Sequence, residues 1–164
     1  THHNSDVWAQ TAPAGNFDND PRSAPRWSCW PMAGVWFSQH LWEHYAFSGD
    51  KRYLQEDAYP LMKGAAEFVL QWLQKDNETD YWVTNPSSSP ENLFRYTDKN
   101  GEIQSGEISK ATTMDMAMIW DLLTNCVQAS RVLGMDVDFR NTLEETIDKL
   151  YPPHLGTKGQ LSVG

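Results

Sequence analysis

The chain has 164 residues, enough for one domain with a sizeable core, and 22 acidic against 13 basic residues give it a formal net charge of −9. This charge disfavours binding to nucleic acid or to an anionic membrane surface, because both require a basic face. The sequence has no run of about 18 apolar residues, so it predicts no membrane-spanning helix.

Aromatic residues are frequent for this length, with 8 Trp, 6 Tyr and 6 Phe. Packing in the core is the commoner reason for such a density, and a sugar-binding surface is the alternative. The two cysteines, Cys29 and Cys126, lack the spacing of a metal site. We expect two buried thiols, and a disulfide between them is left open.

Residues 1–29 show no sustained periodicity and are rich in Asn, Asp, Pro, Gly and Ser, which predicts an irregular segment. Its start combines two imidazoles, an amide and a carboxylate with an indole: His2, His3, Asn4, Asp6 and Trp8. A metal site is disfavoured, because adjacent histidines point apart in an extended chain and no third histidine is near. A sugar-binding cluster and a structural anchor for the loop are the two alternatives.

The first pair of predicted helices follows this segment. Residues 30–47 are apolar almost all round, which is typical of a helix buried on every side. Residues 51–75 carry apolar side chains at three- and four-residue spacing and polar ones between them, which predicts an amphipathic helix. Pro60 is expected to bend or restart this second helix.

A second pair of helices repeats the order. A largely buried helix is expected to begin at Thr112 or Thr113 and to end at Gly134. A shorter amphipathic helix then runs from Asp138 until two prolines, at positions 152 and 153, stop it. The alternation predicts an all-α fold in which inner helices form a ring and outer helices surround it.

Both irregular segments, residues 1–29 and roughly 76–111, precede a predicted inner helix. We therefore expect long loops at one end of the ring, with the cluster at the start of the chain facing the loop around Glu91. Polar groups that converge at one opening are typical of a binding or active site.

Residues 84–92 read Thr-Asn-Pro-Ser-Ser-Ser-Pro-Glu-Asn, and Glu91 is the one carboxylate among them. Pro90 restricts the backbone before it, and such rigidity preorganises a side chain for catalysis. Cleavage of a glycosidic bond needs an acid that protonates the leaving oxygen. Glu91 suits that role, and an ordinary solvated glutamate is the alternative. A serine nucleophile at residues 87–89 is disfavoured, because no strand-to-helix elbow or base accompanies it.

Four motifs resemble the catalytic domain of glycoside hydrolase family 95, whose best-known activity is α-1,2-L-fucosidase. They are His-His-Asn-Ser-Asp-Val-Trp at 2–8, Trp-Pro-Met-Ala-Gly-Val-Trp at 30–36 with Gln-His-Leu-Trp-Glu-His-Tyr at 39–45, Tyr-Pro-Leu-Met-Lys-Gly-Ala-Ala-Glu-Phe at 59–68, and Pro-Ser-Ser-Ser-Pro-Glu-Asn at 86–92. Thr-Met-Asp-Met at 113–116 and Gly-Gln-Leu at 159–161 add support.

The resemblance implies an (α/α)6 barrel that hydrolyses α-1,2-linked L-fucose from glycans with inversion, with Glu91 as the general acid. The Asp that activates water and the two Asn that assist it belong to family motifs outside residues 1–164. We therefore expect residues 1–164 to be a fragment of a single catalytic domain. The fragment is expected to be inactive by itself and to have the rest of the parent enzyme as its partner.

The residues expected to bind the sugar are His3, Asn4, Asp6, Trp8, Trp30 and Asn92, since a Trp face suits the apolar side of a sugar and polar groups suit its hydroxyls. Glu43 and Asp115 are expected to support the site indirectly. No metal or cofactor is expected, and the parent enzyme is expected to be periplasmic or extracellular. An α-L-galactosidase of the same family, a non-catalytic helical carbohydrate-binding protein and a helical interaction module are the alternatives.

Overall fold

The structure is a computed structural model that describes residues 30–89, 92–156 and 158–161. These residues are mostly helical: α1 is Ala33–Ser48, α2 Lys51–Tyr53, α3 Tyr59–Trp72, α4 Thr113–Leu133 and α5 Val137–Ile147, with a π-helical turn at Leu54–Ala58. Four short strands are β1 Gln74–Lys75, β2 Trp82–Val83, β3 Phe94–Thr97 and β4 Ile103–Gly106. The helical character is confirmed, and the (α/α)6 barrel stays a prediction.

The boundary between the first two predicted helices lies where the sequence places it. Gly49 ends α1 in a left-handed conformation with φ 66°, and its N–H donates to the carbonyl of Tyr45. Asp50 then caps α2, because its carboxylate accepts hydrogen bonds from the backbone N–H groups of Arg52 and Tyr53 at 2.9 and 3.1 Å. Gly49 and Asp50 are thus the two residues that lie between α1 and α2.

The predicted irregularity near Pro60 is a widened turn and not a break. Residue 60 has no N–H for the carbonyl four residues earlier, so a regular hydrogen-bond ladder cannot pass through it. One residue before it, the N–H of Tyr59 donates to the carbonyl of Leu54, five residues back. The helix therefore continues through residues 51–72, and its amphipathic character is confirmed by the buried side chains of Met62, Ala66 and Val69.

The expectation that α1 is buried on every side is wrong for the part of the chain that the structure describes. Trp36, Phe37 and Phe47 are 45%, 58% and 88% exposed. The helix packs against α3 and α4 along one side, where Val35 and Ser38 are buried. An apolar pattern shows which side chains a helix is able to bury, whereas burial itself depends on which neighbours are present.

The helix α4 forms the centre of the described core and packs against α1, α3 and α5. Ile119, Leu123 and Cys126 on it have no exposed surface. Cys126 is a free thiol whose pKa is raised by burial to about 12, as expected of a buried cysteine, and Cys29 lies outside the described residues. Gly134 ends α4 in a left-handed conformation with φ 67°, which confirms the predicted end.

Residues 76–111 are less irregular than the sequence predicts. Strands β1 and β2 pair in an antiparallel manner through Gln74–Val83 and Lys75–Trp82, and β3 pairs with β4 from Phe94–Gly106 to Thr97–Ile103. The β3–β4 turn is fixed by Asp98, whose carboxylate accepts from the N–H groups of Asn100 and Glu102. The two hairpins flank residues 84–92.

We expect Ile119→Ala to lower the free energy of unfolding by about 2–5 kcal/mol, because the change leaves a cavity in a close-packed core. Chemical denaturation measures this loss. Val132→Ala, on the exposed side of the same helix, is the matched control and should change the free energy of unfolding by no more than about 0.5 kcal/mol. Similar losses for the two variants would contradict the central position of α4.

Candidate functional site

The segment that leads to Glu91 is fixed to the chain that leads into α4. The N–H of Ser87 donates to the carbonyl of Ser109, and the N–H of Ser109 donates to the carbonyl of Ser87, both at 2.8 Å. The N–H of Ala111 donates to the carbonyl of Thr84 at 2.9 Å. Thr84 and Ser87 are 0% and 2% exposed. Thr84, Ser87 and Ser88 are therefore buried, whereas Asn85 and Pro86 between them are exposed.

A buried carboxylate lies directly beneath this segment. Asp115 is in the first turn of α4 and has no exposed surface. Its Oδ2 accepts hydrogen bonds from the hydroxyls of Ser87 at 2.6 Å and Thr84 at 3.3 Å. Its Oδ1 accepts from the indole N–H of Trp30 at 3.2 Å. One side chain thus joins Trp30, three residues before α1, and the segment that leads to Glu91 to α4. We call Trp30, Thr84, Ser87 and Asp115 the Asp115 cluster.

The hydroxyl of Ser87 is engaged by both Thr112 and Asp115. Its oxygen accepts from the backbone N–H of Thr112 at 3.1 Å and lies 2.9 Å from the hydroxyl of Thr112. Its hydrogen is donated to Asp115. Ser87 is only 2% exposed, so its hydroxyl is not accessible to a substrate, and this burial disfavours Ser87 as a nucleophile.

Two opposed effects act on the charge of Asp115. Burial raises the pKa of its carboxyl above the ordinary value, because desolvation disfavours the ionised form. The hydrogen bonds from Ser87, Trp30 and Thr84 act in the opposite direction. The N-terminus of α4 also favours a negative charge in its first turn. A buried carboxylate needs hydrogen-bond donors that offset the cost of removing it from water, and Ser87, Trp30 and Thr84 are such donors here.

Ser89 and Asn92, which flank residues 90 and 91 in the sequence, are joined to each other. The backbone N–H of Asn92 donates to the carbonyl of Ser89 at 3.1 Å, and its side-chain amide donates to the hydroxyl of Ser89 at 3.3 Å. Asn92 is exposed. The chain is therefore restrained on both sides of Glu91, by the Asp115 cluster before it and by this pair around it.

Most of the predicted site residues lie outside the described residues, and their roles stay predictions: His3, Asn4, Asp6, Trp8 and Glu91. The two that the structure describes are Trp30 and Asn92. The indole N–H of Trp30 is used within the Asp115 cluster, and its ring lies 6.1 Å from that of Trp36 between centroids. Trp30 is thus placed by the same carboxylate that fixes Ser87.

The two residues expected to act indirectly differ in position. Asp115 contacts the segment before Glu91, as an indirect role requires. Glu43 instead lies on the exposed side of α1 near His40 and His44. No hydrogen bond links Glu43 to Asp115 in the part of the chain that the structure describes, so a supporting role for Glu43 has no basis in these contacts.

A concave region lies between α4 and the chain that follows α5. Its volume is about 740 Å³, and Trp120, Tyr151 and Pro152 contribute to a largely apolar lining that does not include Trp30 or Asn92. Among the described residues, no group of three or more His, Cys, Asp or Glu is placed to hold a metal ion. None of the described helices is long and apolar enough to cross a membrane.

Comparison with known proteins identifies a family whose model matches this chain. The model of the family described as "Glycosyl hydrolase family 95 catalytic domain" matches residues 1–162. Alpha-L-fucosidase 2 of Arabidopsis thaliana is 39% identical over 137 residues, which cover 84% of this chain and 15% of that protein. Probable alpha-fucosidase A of Aspergillus niger is 30% identical over 144 residues, which cover 85% of this chain and 17% of that protein.

A shorter similarity extends to a protein with a different name. Kojibiose hydrolase of Flavobacterium johnsoniae is 32% identical over 50 residues, which cover 30% of this chain and 7% of that protein. Each of these relatives is several times longer than the stretch that it shares with this chain. Most of each relative therefore lies outside the stretch that matches these 164 residues.

Proposed function

The chain belongs to glycosyl hydrolase family 95, and from this membership we propose that it forms part of a glycosidase that releases α-1,2-linked L-fucose from glycans. The two relatives named as fucosidases support fucose as the sugar. We further propose that the reaction inverts the anomeric carbon and that Glu91 is its general acid, which protonates the oxygen of the departing sugar.

The observation that carries this proposal is the double contact of Asp115 with Trp30 and Ser87. Trp30 directly follows residues 1–29, and Ser87 lies four positions before Glu91. A single buried carboxylate thus brings the ends of both predicted site segments to the N-terminus of α4. This convergence supports a common site for Glu91 and the sugar-binding residues near the start of the chain.

The proposed division of labour follows from the chemistry of inversion. Glu91 donates the proton, while an Asp in the remainder of the parent enzyme removes a proton from water, with two Asn side chains holding that water. The acid and base carboxyls are then expected to be roughly 6.5–9.5 Å apart, so that water fits between base and sugar. The chain spans 15% and 17% of the two fucosidase relatives, which supports a role as one part of a larger catalytic domain.

The sugar pocket is proposed to consist of Trp faces against the apolar side of fucose and of polar groups near its hydroxyls. The residues that supply these groups are His3, Asn4, Asp6, Trp8, Trp30 and Asn92. The partner is a fucosylated oligosaccharide or glycan. We propose a periplasmic or extracellular location for the parent enzyme, where such glycans are accessible.

Hydrolysis by the full-length protein tests this function. A fucosyl-α-1,2-galactose substrate should be cleaved with a kcat/KM about 100-fold above that of the matching α-L-galactoside, because a pocket shaped for the C6 methyl group disfavours an added hydroxyl by about that factor. Proton NMR during the first turnovers should show β-L-fucose as the initial product, as inversion requires.

Each alternative has its own result in this assay. Preference for the L-galactoside would make the protein an α-L-galactosidase. Binding of the fucoside without turnover would favour a carbohydrate-binding protein, and the absence of both would favour an interaction module. Initial release of α-L-fucose would exclude inversion.

A further inference from the structure

We propose that Asp115 is a positioning residue that holds the chain before Glu91 through the hydroxyl of Ser87, so that acid catalysis depends on a carboxylate that never touches the substrate. This inference rests on the proposed function, since it concerns how the same site is held in place. Asp115 has no exposed surface, which excludes direct contact with a substrate.

The hydrogen bonds of Asp115 join it to the segments that adjoin the predicted site residues. The carboxylate accepts from Ser87, Thr84 and Trp30, and the side chain of Thr112, just before α4, also hydrogen-bonds to it. All four partners lie outside α4, and two of them belong to the segment that leads to Glu91. A carboxylate that only capped α4 would instead accept from backbone N–H groups of its own first turn. The side chain of Asp115 therefore acts between segments.

The bond to Ser87 is the shortest hydrogen bond in this cluster. At 2.6 Å it is short, as expected of a hydroxyl that donates to a charged acceptor. The backbone of Ser87 is held in addition by two bonds to Ser109. Ser87 is thus fixed in both position and orientation only four residues before Glu91. A proton donor works only when it lies within hydrogen-bonding distance of the leaving oxygen, so small shifts of this segment affect the rate strongly.

Asp121 offers a matched control on the same helix. Its Oδ2 accepts from the side-chain amides of Gln39 at 3.2 Å and Asn125 at 3.0 Å, so it too joins α4 to another element. Neither partner belongs to residues 84–92. Replacement of Asp121 removes a half-buried carboxylate that joins α4 to α1 and leaves the Asp115 cluster intact.

The test compares two fucosyl donors that differ in their need for an acid. A natural α-1,2-fucoside has a poor leaving group that must be protonated, whereas fluoride leaves α-L-fucosyl fluoride without a general acid. In the full-length protein, Asp115→Ala should lower kcat on the natural substrate about 100-fold, the loss expected for a misplaced catalytic group. Its kcat on the fluoride should stay within about 3-fold of wild type, because fluoride release does not use Glu91.

Ser87→Ala provides a milder variant, because it removes one oxygen and leaves Asp115 with its other donors, Thr84, Trp30 and Thr112. It should lower kcat on the natural substrate about 10-fold and leave kcat on α-L-fucosyl fluoride unchanged. If Ser87 acts through Asp115, the double variant should be no slower than Asp115→Ala alone. Asp121→Ala should affect both substrates equally and by less than about 3-fold.

The outcomes separate this inference from the proposed function. Glu91→Gln, measured on the same two donors, should have a lower kcat on the natural substrate and an unchanged kcat on the fluoride. If it does so while Asp115→Ala and Ser87→Ala slow both donors equally, Asp115 has only a structural role and the inference fails. If Glu91→Gln itself slows both donors equally, the assignment of Glu91 as the acid fails. Additive effects of Asp115→Ala and Ser87→Ala would also overturn the inference.

Discussion

Replacement of Glu91 by glutamine should lower kcat on a fucosyl-α-1,2-galactose substrate by about 10³-fold, within the range that general acid catalysis contributes. Glutamine has nearly the size of glutamate and retains hydrogen-bonding groups, but it has no acidic proton to give to the departing galactose oxygen. KM should stay within about 3-fold of wild type, because the lost interaction is made chiefly in the transition state. Steady-state kinetics of the full-length protein measure both constants.

A matched control for this change is Glu145→Gln. Glu145 is exposed on α5, so its replacement makes the same change in charge far from residues 84–92 in the sequence. Its kcat should equal that of wild type within error. A Glu91→Gln enzyme with near-normal kcat would show that another group donates the proton. A fall in kcat accompanied by an equal rise in KM would indicate a role in binding.

Residues 1–164 alone should release no fucose above the spontaneous rate of the substrate. The proposed reaction needs an acid and a base on opposite sides of the scissile bond, and the base and its water-holding Asn pair are expected outside this chain. Incubation of the purified segment with a fucosyl-α-1,2-galactose substrate, followed by chromatography of the sugars, measures the release.

The full-length protein under identical conditions is the control for this experiment. Robust turnover by the isolated segment would overturn the fragment interpretation, because residues 1–164 would then contain both halves of the catalytic pair. The acid at Glu91 would keep its role in that case, and the search for a base would move to the carboxylates of this chain.

The helices could be predicted from sequence because their ends carry local signals. Gly49 and Gly134 take left-handed conformations that few other residues adopt at low cost, and Gly134 ends its helix at the predicted residue. Pro60 perturbs its helix because its nitrogen carries no hydrogen. Signals of this kind depend on a few neighbouring residues, so they hold whatever else the chain contacts.

Burial and the hairpins were harder to predict, because both depend on distant contacts. The apolar residues of α1 indicate a buried helix, yet Phe47 is 88% exposed among the described residues. The two hairpins have short strands and only one conspicuous turn signal, Asn100-Gly101, which follows the Asp98 side chain that fixes the turn. Strands of two to four residues carry too little alternation to be distinguished from loops.

The candidate site shows the same division between local and distant effects. A resemblance to a family was enough to propose a role for Glu91, and Asp115 was expected to support the site indirectly. The partners of Asp115 could not be found in this way. Ser87 and Trp30 lie 28 and 85 positions from Asp115 in the sequence, and only the fold brings the three together.

The measurement that tests the central claim most directly is a crystal structure of the full-length Glu91→Gln enzyme with an uncleaved fucosyl-α-1,2-galactose substrate. The side-chain amide at position 91 should lie about 2.6–3.2 Å from the glycosidic oxygen, the distance at which a proton can be transferred. A different carboxyl group at that distance, with position 91 directed away from the bound sugar, would contradict the assignment of Glu91 as the acid.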